Sequence, residues 1–226
     1  MKYKNIVKAR FIKRLNRFVA EVEINGEREL CHVKNTGRCK ELLIEGATVY
    51  LEKSDNEARK YRYSLVTVQK GERLVNMDSQ APNKAVYEWL RNESVFKNIT
   101  CIRPETTFGK SRFDFYFEYE GKKAFAEVKG VTLENDGVVS FPDAPTERGL
   151  KHINELCQCV KEGFEAYIIF VVQMKSVLYF TPAEGHDPKF SEGLRNAAAN
   201  GVRVLCYDCE VTENEMVLCN EVVIKL

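Results

Sequence analysis

The chain has 226 residues, 44% of them hydrophobic and 30% charged, with 34 Lys and Arg against 33 Asp and Glu. This composition supports packed cores and excludes disorder, collagen and coiled coil, while the length fits one large domain or two modest ones. The near-neutral total hides an asymmetry: residues 1–80 carry six more cations than acids, and the rest of the chain carries five fewer.

The first 17 residues hold Lys2, Lys4, Lys8, Arg10, Lys13, Arg14 and Arg17 with no acid, a pattern that reads as a basic surface for a polyanion or as a solvated face. No apolar signal-peptide core follows, and the longest apolar run, Ala166–Val172, falls far short of the roughly 20 residues that span a bilayer. The expectation is a soluble cytoplasmic protein with no membrane partner, its eight cysteines reduced. Cys157-x-Cys159 and Cys206-x-x-Cys209 lack the spacing of a paired zinc site, so small buried side chains are the favoured reading.

From Phe11 to Val75 short alternating runs, such as Val19–Ile24, are broken at Asn25-Gly26, Asn35-Thr36-Gly37, Glu45-Gly46 and Lys70-Gly71. About five strands in under 80 residues predict a small OB-like β-barrel over residues 1–80, a fold that binds nucleic acid through basic and aromatic side chains. Arg10, Arg14, Arg17, Lys34, Arg38 and Arg62 are its candidate phosphate contacts, with Arg59–Tyr63 interleaving cations and aromatics. The polar stretch Met77–Pro82 marks the boundary to a second domain, residues 81–226.

That domain reads as mixed α/β. A helix over Asn83–Glu93 carries the stripe Val86, Trp89 and Leu90. Strands follow near Ile99–Phe108, Arg112–Tyr119 and Lys123–Val131, then a long loop and a helix over Thr146–Glu162. A buried strand at Ala166–Val172, a helix near Lys189–Asn200 and a strand at Val202–Cys206 complete a sheet covered by helices.

The chemistry concentrates around Glu120-Gly121. Phe113, Phe115, Phe117 and Tyr119 alternate with Arg112, Asp114, Tyr116 and Glu118, and Glu127 shares a face with Lys129. If Glu120-Gly121 is a two-residue hairpin loop, Asp114 falls directly opposite Glu127. Two adjacent carboxylates repel unless a cation compensates, and an oxygen-rich, partly hydrated pair suits Mg²⁺ or Mn²⁺. Lys129 beside them could orient a water or stabilise charge in phosphodiester hydrolysis, although a salt-bridge lattice on an exposed sheet face has the same spacing. After the loop, Arg148 near a helix start is a candidate phosphate contact and His152 a weaker one, while Asp143 and Thr146 fit capping.

An Asp followed by Glu-x-Lys on the next strand, behind a helix bearing Glu88, looks like the PD-(D/E)xK nuclease core. His32–Ala47 (HVKNTGRCKELLIEGA), Ser111–Phe115 (SRFDF) and Glu127–His152 (EVKGVTLENDGVVSFPDAPTERGLKH) resemble the characteristic blocks of the sugar fermentation stimulation protein A (SfsA) family across nearly the whole chain. The resemblance implies an OB-like domain joined to a restriction-endonuclease-like domain with a central mixed sheet. It implies Asp114 and Glu127 as metal ligands, Lys129 as the catalytic-type lysine and Glu88 as a supporting acid, with Phe113 standing where the motif has Pro. It further implies DNA binding without strong sequence preference and a role in maltose or other sugar metabolism. The expected function is Mg²⁺-dependent nuclease action on nucleic acid, DNA favoured, with a non-catalytic DNA-binding regulator as the alternative and a homodimer left open.

Overall fold

The computed structural model describes residues 1–93 and 95–226. Its first part is a closed five-stranded barrel of β1 (Ile6–Asn16), β2 (Val19–Ile24), β3 (Glu27–Val33), β4 (Thr48–Lys53) and β5 (Tyr63–Lys70). The order is β3-β2-β1-β4-β5, and a parallel pairing of β5 with β3 closes the ring. Asn25-Gly26, with positive φ at both residues, makes the tight β2–β3 turn that its sequence demands. Strand β1 bulges twice as it winds between β2 and β4, curving the sheet around Phe11, Val22, Val33, Leu51 and Leu65. A short β6 (Arg73–Asn76) pairs with β5 and leads out of the barrel.

The second part is a six-stranded mixed sheet built from β7 (Ile99–Phe108), β8 (Ser111–Tyr119), β9 (Lys122–Val131), β12 (Glu165–Val172), β14 (Arg203–Val211) and β15 (Met216–Glu221). Its order is β15-β14-β12-β9-β8-β7, with β12 parallel to both β9 and β14. Helix α1 (Ala81–Arg91) packs one face through Ala85, Val86, Trp89 and Leu90. Helices α2 (Glu147–Lys161) and α3 (Pro188–Ala199) cover the other through Ile153, Leu156, Phe190 and Leu194. Both begin with a side-chain cap, Thr146 accepting from the Gly149 N–H and Asp187 from that of Phe190.

Several elements differ from the sequence reading. Helix α1 starts at Ala81, because Pro82 fits the first turn. The loop after β9 contains β10 (Leu133–Asn135) and β11 (Val138–Phe141), which form a small sheet with β13 (Tyr179–Pro182). Strand β14 runs on to Val211, and β15 returns beside it. Cys206 and Cys209 pack into the cores on opposite faces of the sheet, so β14 cannot turn both toward one ion. No described helix is long and apolar enough to cross a membrane.

The first half of the polar segment between the two parts is buried, and its second half, Ser79 and Gln80, is exposed. Asn76 and Asp78 are shielded from solvent, and the Gln173 side-chain amide donates to the Asn76 carbonyl, the Asn76 side chain and the Asp78 carbonyl. On the other side Glu134 accepts from Lys70 and Arg73 of the barrel's β5–β6 hairpin. Gly130 permits this closeness, since an added Cβ would lie 2.5 Å from Gln173 Oε1 and 2.8 Å from Pro82 Cγ. The barrel is thereby strapped against the ends of β9 and β12.

Candidate metal and nucleic-acid site

Glu120 and Gly121, both at positive φ, form a two-residue turn, and the β8–β9 ladder runs from Tyr119↔Lys122 to Phe115↔Ala126. The pairing stops one step short of Asp114 and Glu127. Here the Asp114 carboxylate itself accepts the Val128 N–H at 2.8 Å, and the acids sit where the strands part. The distortion extends to the neighbouring strand, where Glu105 adopts a φ of 52° between the rungs Pro104↔Phe115 and Thr106↔Phe113. The expected alternation breaks at the same level: Phe113 packs with the α2-side core, near His152, whereas Phe115 and Phe117 pack on the α1 side.

Each acid is fixed from a different helix. Asp114 accepts from the Asn83 side-chain amide of α1 at 2.7 Å. Glu127 Oε1 takes the Lys129 ammonium at 2.7 Å and contacts Nδ1 of the buried His152 from α2. Glu127 Oε2 is buried with no partner. A buried carboxylate oxygen without a donor is costly, and a cation is the natural complement.

The two environments push the acids apart. Burial first, and then the charge of Glu127, hold the Asp114 carboxyl above its usual range against the bonds from Val128 and Asn83. Burial acts the same way on Glu127, but the His152 contact and Lys129 outweigh it and hold that carboxyl below its usual range. Among the described residues no cluster of three or more His, Cys, Asp or Glu forms at metal-binding spacing. Asp114 and Glu127 are the two carboxylates that could hold a cation here, and such a pair would leave most of a coordination shell to water and substrate oxygens, as Mg²⁺ prefers.

Glu88 does not join them. Its carboxylate lies 2.7 Å from the Met1 amino group. Five residues along a helix turn the side chain about 140° from Asn83, so the residue of α1 that reaches Asp114 is Asn83. Asn83 and the Val128 N–H were missed. The available signal was Asn83's position one turn before Tyr87, outside the apolar stripe.

The candidate cations divide into two groups. Arg14 donates to the carbonyls of Arg17, Asn35, Gly37 and Arg38, so it braces the loop after β3. Arg10 pairs with Glu23, and Lys34 with Glu52 and Asp78. These three are engaged within the fold because each has an acid or a set of carbonyls in reach. Arg17, Arg38, Arg62 and Arg148 are exposed. Arg148 stands one turn before His152 on α2, which places it over the same end of the sheet. Arg17 and Arg38 line a cavity of about 710 Å³ whose opposite wall is Pro142, Thr146 and His186. A smaller cavity of about 190 Å³ runs beneath, lined by Asn35, Thr36, Ser79 and Gly130, the last adjoining Lys129. Arg59, from the run of interleaved cations and aromatics, and Lys40, which the sequence did not single out, line adjoining cavities.

A closed barrel strapped to a mixed α/β sheet with an acid pair at its parted strands defines an OB-plus-RE two-part protein. The family model described as the SfsA N-terminal OB domain matches residues 12–77, and the sugar fermentation stimulation protein RE domain matches 80–215. The chain belongs to the SfsA family. A sugar fermentation stimulation protein homolog of Clostridium beijerinckii is 56% identical over 216 residues, covering 96% of each chain. One from Desulfitobacterium hafniense is 54% identical over 226 residues, covering 100% of this chain and 99% of the relative. The solved structure of Pyrococcus furiosus SfsA in complex with Ca²⁺ superposes with a TM-score of 0.90 at 27% identity, covering 100% of this chain and 98% of that one.

Proposed function

We propose that the protein is a divalent-metal-dependent phosphodiesterase acting on nucleic acid, with DNA as the favoured substrate. The observation that carries this reading is the buried, unpartnered Oε2 of Glu127, a carboxylate whose charge acts on Asp114 and whose other oxygen holds Lys129. Asp114 and Glu127 would hold Mg²⁺ or Mn²⁺, and the Ca²⁺ complex of the Pyrococcus relative supports an oxygen-rich divalent site in this fold. A metal bound there supplies neutralisation of phosphate charge and a more acidic water.

The chain's own groups do the rest. Asn83 and the Val128 N–H fix the Asp114 carboxylate from two directions, and His152 fixes Glu127. Lys129 is held at Glu127 Oε1, where its ammonium can orient the attacking water and stabilise the extra negative charge on the phosphate. Arg148 and the barrel-side Arg17 and Arg38 would hold flanking phosphates across the groove.

The test incubates the full chain with labelled single- and double-stranded DNA and RNA in Mg²⁺, Mn²⁺ or EDTA, beside Asp114→Ala and Lys129→Ala. Metal-dependent cleavage lost in both variants is the expected result. If nothing is cut while DNA is still bound by wild type and variants, a non-catalytic DNA-binding role replaces this one, and the relatives' name then points toward a regulatory task in sugar metabolism.

A further inference from the structure

We infer that a pocket on the barrel side of the groove receives a single unstacked nucleobase, so that the nucleic acid bound there is single-stranded. The inference rests on the nucleic-acid reading above and specifies its substrate. The pocket, about 340 Å³, lies between the β1–β2 turn and the segment leading into α1, and is lined by Phe18, His32, Asn35, Arg59, Ser79 and Gln80 among others. That volume sits at the small end of ligand sites, the scale of one base with part of its sugar.

Three independent features favour a base. Phe18 is 51% exposed at the turn, and its ring is one wall of a cavity that also holds an imidazole. Isolated exposed aromatics are ordinary, but an aromatic set in a polar cavity offers a stacking surface. His32 Nδ1 is buried with no hydrogen-bond partner. Burial, followed by the charges of Arg59 and Lys34, holds that imidazole below its ordinary pKa and leaves it neutral; with Nδ1 closed off, Nε2 is the ring nitrogen left to meet a base edge. In the same lining the Ser79 hydroxyl donates to the Lys34 carbonyl and Asn35 Oδ1 accepts the Gly37 N–H, which leaves the Asn35 amide nitrogen and the Gln80 side chain to meet a base edge.

The charge of the lining narrows the ligand class further. No Asp or Glu lines the pocket, and Arg59 makes no ion pair among the described residues. The Lys34 ammonium, by contrast, is already engaged by Glu52 and Asp78, so Arg59 is the cation left for a phosphate. An apolar peptide would have no use for that guanidinium, and a duplex keeps its base faces stacked away from Phe18. The pocket shares Asn35, Thr36 and Ser79 with the cavity that reaches Gly130, beside Lys129.

The experiment measures binding of full-length protein, in EDTA to prevent cleavage, to fluorescent single-stranded DNA and RNA oligonucleotides and to the matched DNA duplex. Wild type, Phe18→Ala and Phe18→Trp are compared, and 2-aminopurine placed in the strand reports stacking. Expected are preferential single-strand binding, quenching of 2-aminopurine, a loss of about tenfold in single-strand affinity for Phe18→Ala, and recovery in Phe18→Trp. Duplex affinity should not change in either variant. Equal losses on single strand and duplex, no loss at all, or a wild type that binds only duplex would overturn the base pocket while leaving the nucleic-acid reading intact. A wild type that binds neither form, in EDTA or with Ca²⁺ in its place, would overturn both.

Discussion

The sheet of the second domain carries two carboxylate centres, one at each end of the β8–β9 pair, and they are built to opposite specifications. At the turn end Glu165 is saturated: Tyr119 and Tyr167 donate their hydroxyls at 2.6 and 2.5 Å, and Lys122 and Arg203 pair with it at 3.1 and 3.3 Å. At the open end Glu127 spends one oxygen on Lys129 and His152 and leaves the other buried without a donor. Glu134, at the junction with the barrel, resembles the first case, with both oxygens taken. A saturated carboxylate holds structure together, whereas an unsaturated one beside a second acid is poised for a cation.

Substitution at the two ends should separate these roles. Glu127→Gln is expected to remove metal-dependent cleavage by about 10³-fold, the several kcal/mol that a metal supplies to phosphate chemistry. Glu165→Gln should leave cleavage of the labelled substrate within about threefold, because it touches no group at the open end. Equal losses in both variants would erase the distinction.

A smaller effect is expected from His152→Ala, which should weaken Mg²⁺ binding by about 10- to 100-fold in calorimetric titration, the usual consequence of freeing a ligand from its supporting partner. The barrel-side junction should remain unaltered in that variant, since His152 contacts neither Glu134 nor Gln173.

Stability measurements sharpen the contrast through pH. Burial tends to raise the Glu165 carboxyl, but the two tyrosines, Lys122 and Arg203 outweigh it and hold it below its ordinary range. A carboxyl depressed in the folded state contributes stability that is present above the unfolded value of about 4.3 and lost as pH falls through the folded value. Glu165→Gln should therefore cost roughly 2 kcal/mol in urea unfolding at pH 7 and much less at pH 3.

Asp114 has the opposite sign and a smaller effect. Its carboxyl is raised in the fold by burial and by Glu127, so its charged form disfavours folding once pH exceeds the ordinary carboxyl range. In EDTA at pH 7, Asp114→Asn is expected to stabilise the protein by about 1 kcal/mol, with Asn83 turning its amide to suit the new side chain. Mg²⁺ should raise the melting temperature of wild type and not of this variant.

Much of the framework is local and can be read from the chain. Asn25-Gly26 and Glu120-Gly121 need positive φ and tight turns, and the second sets the Phe115↔Ala126 register on which the acid pair depends. The stripe on α1 and the caps of α2 and α3 are likewise written in neighbouring residues. The pairing of β11 with β13 was not legible, because Val138 and Tyr179 meet only through packing of segments 41 positions apart. Burial of Met77 and Asp78 was hidden for a similar reason, since the groups that enclose that polar stretch come from Tyr3, Lys34 and Gln173.

The sequence by itself determined the types of chemistry present: a barrel-forming half rich in cations, and an Asp with a Glu-x-Lys on consecutive strands joined by a two-residue turn. Tertiary structure decided which of those groups are free to act. It parted the strands at Asp114, replaced Glu88 by Asn83 through the phase of α1, brought His152 under Glu127, and engaged Arg10, Arg14 and Lys34 within the fold while leaving Arg17, Arg38 and Arg148 exposed. The physical reason is that a charged side chain's role depends on which partners lie within a few ångströms, and most of those partners are supplied by distant parts of the chain.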